Sequence, residues 1–419
     1  MTYEEAMAYL NTLSKGTEDA RAEAGRLLEH MGNPQDSYVC VHVAGTNGKG
    51  SACAFLASIL RQAGHRTGLF VSPYVQDFEE RIQVEGPILR EDLARLVDYV
   101  KDKAEEADMP RMNYFAFITA MAYLWFAISE VDVAVIEVGL GGRLDPTNVV
   151  NPACCVITSV SMDHENELGE DIASITREKC GIIKNGAPVV CEAQQDEAMG
   201  VIDDACKIAM SGLICVDNVL TDVRPIKNGE MFSLQIGKTQ LYDLEIPLMG
   251  THQVQNAAAA VLAALQLQKA GLVIEETHIR EGLKGMLWPS RLEIIWYNGV
   301  RIVLDGAHNP GATAAMRAAY ERHGLPQPVL LCAAMGDKDV AGMAATLSGF
   351  YSAVVCTKVD NKRGMKVRAL SSHFEGKKVA LNDPAAALSR ACALAGEGGV
   401  VVVTGSMYLC GVVRDIIVG

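Results

Sequence analysis

The apolar run Tyr38-Val39-Cys40-Val41-His42-Val43-Ala44 leads directly into Gly45-Thr46-Asn47-Gly48-Lys49-Gly50-Ser51, and a helical pattern continues from Ser51 to Ala63 before Gly64. Strand, glycine-rich loop and helix in this order constrain the chain more than any other feature. They specify a βα unit of a parallel sheet whose loop turns backbone N–H groups and the positive end of a helix toward an anion. Gly45, Gly48 and Gly50 admit phosphate close to the backbone. Lys49 adds positive charge, and Ser51 offers a hydroxyl to Mg²⁺. ATP phosphates with Mg²⁺ are therefore the predicted ligands. The loop is an irregular member of its class, because the outer glycine is missing and Gly50 separates Lys49 from Ser51.

More α/β units follow. Helices are expected from Tyr3 to Leu13 and from Asp19 to Met31, the second broken by Asn33-Pro34. Val131 to Val138 is a continuous apolar strand, as in a parallel sheet covered on both faces, and Ala153 to Val160 is another. Asp171 to Cys180 reads as a helix and Pro188 to Cys191 as a short strand. A hairpin-rich insert spans Asp222 to Pro247, with Asn228-Gly229 as its turn, and His252 to Ala270 is a long helix. Trp288-Pro289-Ser290 reads as a linker. Beyond it α/β alternation restarts, with strands near 301–304, 329–333, 353–359 and 400–404. A chain of 419 residues exceeds one ordinary core, so two domains are expected, the second of roughly 130 residues.

Candidate chemistry lies at strand ends. Glu137 closes an apolar strand, where a carboxylate points into the ligand crevice of an open α/β sheet and can hold a metal. Asp163-His164 follow the next strand; His164 is either a neutral imidazole ligand or a structural histidine, since Mg²⁺ prefers oxygen. Lys179 reads as a solvated lysine near a helix end, and Lys184 as a surface residue before a turn. A net charge of −14 argues against nonspecific nucleic-acid binding. The most apolar stretch, Phe115 to Ile128, reads as a buried helix rather than a membrane span, and the N-terminus has no export pattern. The 12 cysteines include no CxxC pair and read as reduced, buried thiols of a cytoplasmic protein.

Several separated motifs together carry a resemblance. These are His42 to Ser51; Ser72-Pro73 with Glu80-Arg81-Ile82; Glu137 to Asp145 with Thr147-Asn148; Asp163-His164; and Glu178 to Gly181. The second half adds His252-Gln253 with Asn256; Ser290 to Glu293; Asp305 to Pro310; Asp337-Lys338-Asp339; and Thr404 to Leu409. The chain resembles the folylpolyglutamate synthase/dihydrofolate synthase family of the Mur ligase superfamily over nearly its whole length. The resemblance implies a P-loop Mur-ligase-like N-terminal ATPase domain over 1–287 and a smaller Rossmann-like α/β C-terminal domain over 288–419. Ser51, Glu137 and His164 match the family's Mg²⁺ ligands. Lys179 matches a lysine carbamylated in these ligases. Asn256, Arg291 and Asp305 match ATP contacts, and His308 matches a second-domain residue facing the cleft.

The implied reaction is ATP-dependent addition of L-glutamate to a folate or to dihydropteroate, through an acyl phosphate, with Lys49, Lys179 and His308 in catalytic roles. The expected partners are small molecules, with no nucleic acid and no membrane, and a monomer is the expected state. Departures from the family pattern fall on the acceptor side: Tyr74 where histidine is usual, Ala22 to Arg26 where a Phe-Gly-Leu element is common, and Pro146 for alanine. A Mur-type ligase acting on another carboxylate and a regulatory ATP-binding module are the competing expectations.

Overall fold

A computed structural model describes every residue except 15, 17, 18, 185, 228, 361, 362 and 419. The first sheet uses β1 (Val39–Ala44), β2 (Thr67–Phe70), β3 (Ile82–Val84), β4 (Val133–Glu137), β5 (Cys154–Ile157), β6 (Val189–Cys191) and β7 (Leu213–Cys215). Their order is β3-β2-β4-β1-β5-β6-β7, parallel except for the edge strand β3. β1 and β4 are central and lack polar alternation because helices cover both faces.

One face carries helices Lys49–Gln62, Thr251–Lys269 and Glu276–Lys284, and the other carries Tyr3–Thr12, Ala20–His30, Arg90–Glu106 and Tyr114–Ile128. Helix Arg90–Glu106 buries Leu93, Leu96, Val97, Val100 and Ala104, spaced by three or four residues as a one-sided helix requires. Helix Tyr114–Ile128 is apolar nearly all round, and Phe117, Met121 and Phe126 are fully buried. Each such side chain contributes about 1.5–3 kcal/mol. Among the described residues no helix is long and apolar enough to cross a membrane.

β8 (Leu220–Ile226), β9 (Gly229–Ile236) and β10 (Thr239–Ile246) form an antiparallel sheet where the hairpin-rich insert is expected. Asn228 of the expected turn lies outside the described residues. The remaining sheet uses β11 (Arg291–Tyr297), β12 (Val300–Asp305), β13 (Val329–Cys332), β14 (Ala353–Cys356), β15 (Lys378–Ala380) and β16 (Val400–Thr404). Its order is β11-β12-β16-β13-β14-β15, with apolar clusters on both faces.

Two sequence readings need correction. The strands after the linker do not begin near 301: Arg291 already opens the antiparallel edge strand β11, in register with Asp305. Exposure alternates along its apolar end, with Ile294 and Trp296 exposed and Ile295 and Tyr297 partly covered, the half-exposed pattern of such a strand. Lys184 is not a free surface lysine: its Nζ is half-buried and donates to the Asn148 carbonyl at 3.1 Å.

Candidate active site

The phosphate-type loop leaves β1 and enters helix Lys49–Gln62 through Gly48, whose φ of 91° favours glycine. A Cβ on Gly48 would lie 2.1 Å from Asn256 Oδ1. Gly50 has a different reason. A Cβ there would stand 3.3 Å from Trp288, a tight contact, and 3.4 Å from Glu137 Oε2, so the first helical turn packs directly beneath the indole and the buried carboxylate. Thr46 N and Asn47 N donate to Ser159 O at 2.8 and 3.3 Å, tying the loop to the end of β5. The first-turn N–H groups of the helix have no intrahelical acceptor, which suits an anion. Lys49 Nζ donates to Gly45 O and Thr46 O, each at 3.2 Å.

Glu137 ends β4 at 4% exposure and accepts from Ser72 N at 2.9 Å. Burial raises its pKa, and the charges of Lys49 and Arg291 pull it back. Ser51 is buried in the same cavity. His164 takes a left-handed φ of 54° ahead of helix Glu165–Leu168, with Nε2 at 3.3 Å from Lys338 Nζ. Burial first, and then the Lys338 charge, lowers its pKa and keeps the imidazole neutral. A hydroxyl, a carboxylate and a neutral imidazole suit a divalent cation that completes its shell with phosphate oxygens and water. The described residues hold no cage of three or more His, Cys, Asp or Glu, so a bound cation would depend on such outside oxygens.

Lys179 is not solvated. It is 3% exposed and its Nζ donates to Gly45 O at 3.0 Å. Burial, then repulsion from Lys49, lowers its pKa to about 7. Its helix, Ile172–Cys180, is capped by Asp171, which accepts from Ser174 N. Asn256 Nδ2 donates to Gln253 Oε1 at 3.0 Å. Asp305 accepts from Leu292 N and Ala307 N at 3.1 and 3.0 Å, and burial raises its pKa to about 6. His308 Nδ1 donates to Gly306 O at 2.8 Å, which fixes its tautomer, and burial lowers its pKa to about 4.

The structure brings all the sequence-predicted residues to one cavity of about 350 Å³: Gly45 through Ser51, Glu137, His164, Lys179, Asn256, Arg291, Asp305 and His308. A second cavity of about 640 Å³ adjoins it and shares Ser72, Pro73, Gly139, His164 and His308. Its own walls mix Phe115, Leu144 and Pro146 with Arg81, Ser406 and Tyr408. Tyr74 lines neither cavity.

The sequence assigns no role to the contacts that join the seven-stranded and six-stranded sheets. Asn309 Nδ2 donates to Asn47 Oδ1 at 3.0 Å and to Asp163 Oδ2 at 3.3 Å, and Lys338 Nζ pairs with Asp163 Oδ1 at 2.9 Å. All four residues sit inside quoted motifs, which was the available signal. Glu192 was missed as well. It follows β6 as a buried carboxylate on the cavity wall, accepting from Ser159 N at 3.0 Å, and burial raises its pKa to about 8.

The fold and the cavity define a Mur-type ligase: the Mur ligase middle domain model matches residues 43–264 and the Mur ligase glutamate ligase domain model matches residues 290–407. The chain is 34% identical to the dihydrofolate synthase/folylpolyglutamate synthase of Bacillus subtilis, covering 98% of both proteins. Among solved structures, a Mycobacterium tuberculosis folylpolyglutamate synthase complexed with ADP superposes with TM-score 0.92 at 29% identity, covering 99% of this chain and 98% of the other. A folylpolyglutamate synthase complex with AMPPCP and folate gives TM-score 0.88 at 32% identity, covering 100% of each chain. The chain belongs to the folylpolyglutamate synthase/dihydrofolate synthase family.

Proposed function

We propose that this protein joins L-glutamate to a folate-type carboxylate at the expense of ATP, releasing ADP and phosphate. The reading covers dihydropteroate, tetrahydrofolate or both as acceptors. The observation that carries it is the junction of the two cavities at Ser72, His164 and His308. A nucleotide on the phosphate loop thereby presents its terminal phosphoryl group to a carboxylate in the neighbouring space. Family membership supports the substrate class.

The acceptor carboxylate attacks the γ-phosphorus in line, and the bond to the β-phosphate oxygen breaks, giving an acyl phosphate and ADP. Lys49 and the N–H groups of the first helical turn receive the charge on the transferring group. Mg²⁺ held by Ser51, Glu137 and His164 supplies further charge neutralisation when bound. The unprotonated glutamate amine then attacks the acyl carbon, the C–O bond to phosphate breaks, and the proton lost from the nitrogen leaves with the phosphate. The Nε2 lone pair of His308, freed by the Nδ1–H bond to Gly306, accepts a hydrogen bond from that amine. Asn256, Arg291 and Asp305 hold the nucleotide, the last two from the six-stranded sheet.

Lys179 is read as a carbamylation site. With its pKa near 7 a large share of its amine is unprotonated at neutral pH. That amine attacks CO₂ and loses a proton, and the cation becomes a carbamate that balances Lys49. The unit bounded at 287/288, the monomeric state and the cytoplasmic location belong to the same reading; the last is supported by the unpaired, mostly buried cysteines. The test is ADP release with ATP and glutamate, with and without dihydropteroate or tetrahydrofolate. Stimulation by one of the pterins is expected, and stimulation by neither overturns the assignment.

A further inference from the structure

The segment after β2 forms part of the wall between the two cavities through Ser72 and Pro73, then turns away and returns with Arg81. Glu80 fastens the turn, accepting from Val75 N at 2.8 Å and from Gln76 N and Asp77 N at 3.1 Å each. Arg81 is 8% exposed, lines the acceptor cavity and leaves a buried Nε without a hydrogen-bond partner. Among the described residues it forms no ion pair closer than 4.0 Å. A nearly buried guanidinium without a carboxylate partner is held by something else. Its Cζ lies 5.1 Å from the Tyr74 ring centroid and 5.8 Å from that of Phe78. The two rings meet edge to face, 6.1 Å apart at 63°. Tyr74 lines neither cavity, and its ring stacks on a guanidinium that lines the acceptor cavity, so Arg81 gives it a route to the substrate.

We infer that Tyr74 is a positioning residue: with Phe78 it holds the Arg81 guanidinium by a cation–π contact so that the fork faces a substrate carboxylate in the acceptor cavity. The inference rests on the proposed reading of that cavity. An aromatic face suits this task because it attracts the cation without neutralising it or occupying its N–H donors. The carboxylate is that of glutamate or of the pterin acceptor, and the same measurement separates them.

The test is steady-state kinetics of the full-length protein, with KM taken for ATP, glutamate and the active pterin acceptor. Tyr74→Leu is expected to raise KM for a carboxylate substrate roughly tenfold, with kcat at saturation and KM for ATP within about threefold of the parent. Tyr74→Phe keeps the ring and is expected to match the parent. Unchanged KM for both carboxylate substrates in Tyr74→Leu overturns the inference, as does a Tyr74→Phe variant as impaired as Tyr74→Leu. In an Arg81→Ala background, Tyr74→Leu is expected to add nothing further to KM, and additive effects overturn the coupling whatever the variants' thermal midpoints. Unchanged KM values in Arg81→Ala alone also overturn the inference, whereas the reading of the cavity falls only if neither pterin stimulates ADP release.

Discussion

The two halves of the cleft are built from different materials. The nucleotide half is a set of strand ends: the loop after β1, Glu137 closing β4, Ser159 beyond β5 and Glu192 beyond β6, all fixed by backbone hydrogen bonds. The acceptor half is made of loops and side-chain stacking. Leu140 and Leu144 on its wall are 39% and 50% exposed, and its buried cation is held by aromatic rings. Chemistry shared by a class of ligases lies where the sheet imposes geometry, and recognition of a particular acceptor lies where side chains can change without disturbing the sheet.

This contrast predicts that substitutions in the nucleotide half act on turnover or stability and those in the acceptor half act on acceptor KM. The largest effect belongs to Lys49→Ala. ADP release should fall by about a hundred- to a thousandfold, with a near-parental thermal midpoint, because the side chain bonds only to the carbonyls of Gly45 and Thr46 in its own loop and packs into no core. Substantial activity in that variant breaks the comparison at its firmest point.

Glu192→Gln tests how deeply the nucleotide half is buried. The folded carboxyl has a pKa of about 8 against an ordinary 4.5, so the folded state keeps a proton that the unfolded chain loses within that window. Stability therefore falls as pH rises from the ordinary carboxylate value to about 8. The non-titrating variant should gain on the parent across the window, by an amount on the order of a few kcal/mol. Thermal midpoints at mildly acidic and mildly alkaline pH measure it; a constant difference contradicts the burial argument.

Asn309→Ala removes a donor to Asn47 in the phosphate loop and to Asp163 beyond β5, two of the side-chain bonds that tie the six-stranded sheet to the nucleotide half. A loss of about 1–2 kcal/mol, read as a several-fold to roughly tenfold rise in KM for ATP, is expected. Leu144→Ala should have the smallest effect. It should leave KM for ATP alone and raise KM for the pterin by only about two- to threefold, since half of the side chain already meets water.

The same contrast explains what could be read from the sequence. Apolar runs at β1, β4 and β16 and the glycine loop are local signals, and Glu137 was legible because a strand end dictates where its side chain points. β11 was missed because a half-exposed antiparallel edge carries a weaker pattern beside Trp288-Pro289. Lys179 reads by itself as a helix-end lysine. Only tertiary packing, which puts it under Gly45 beside Lys49, reveals a buried amine. Glu192 and the Arg81–Tyr74–Phe78 stack depend on neighbours that no local pattern encodes.

The central claim is that a carboxylate in one cavity receives phosphate from a nucleotide in the other. Turnover of a pterin acceptor carrying ¹⁸O in the reacting carboxylate tests it most directly. Passage through an acyl phosphate predicts that released phosphate carries one ¹⁸O from the acceptor per turnover. Unlabelled phosphate accompanying amide formation would contradict the account.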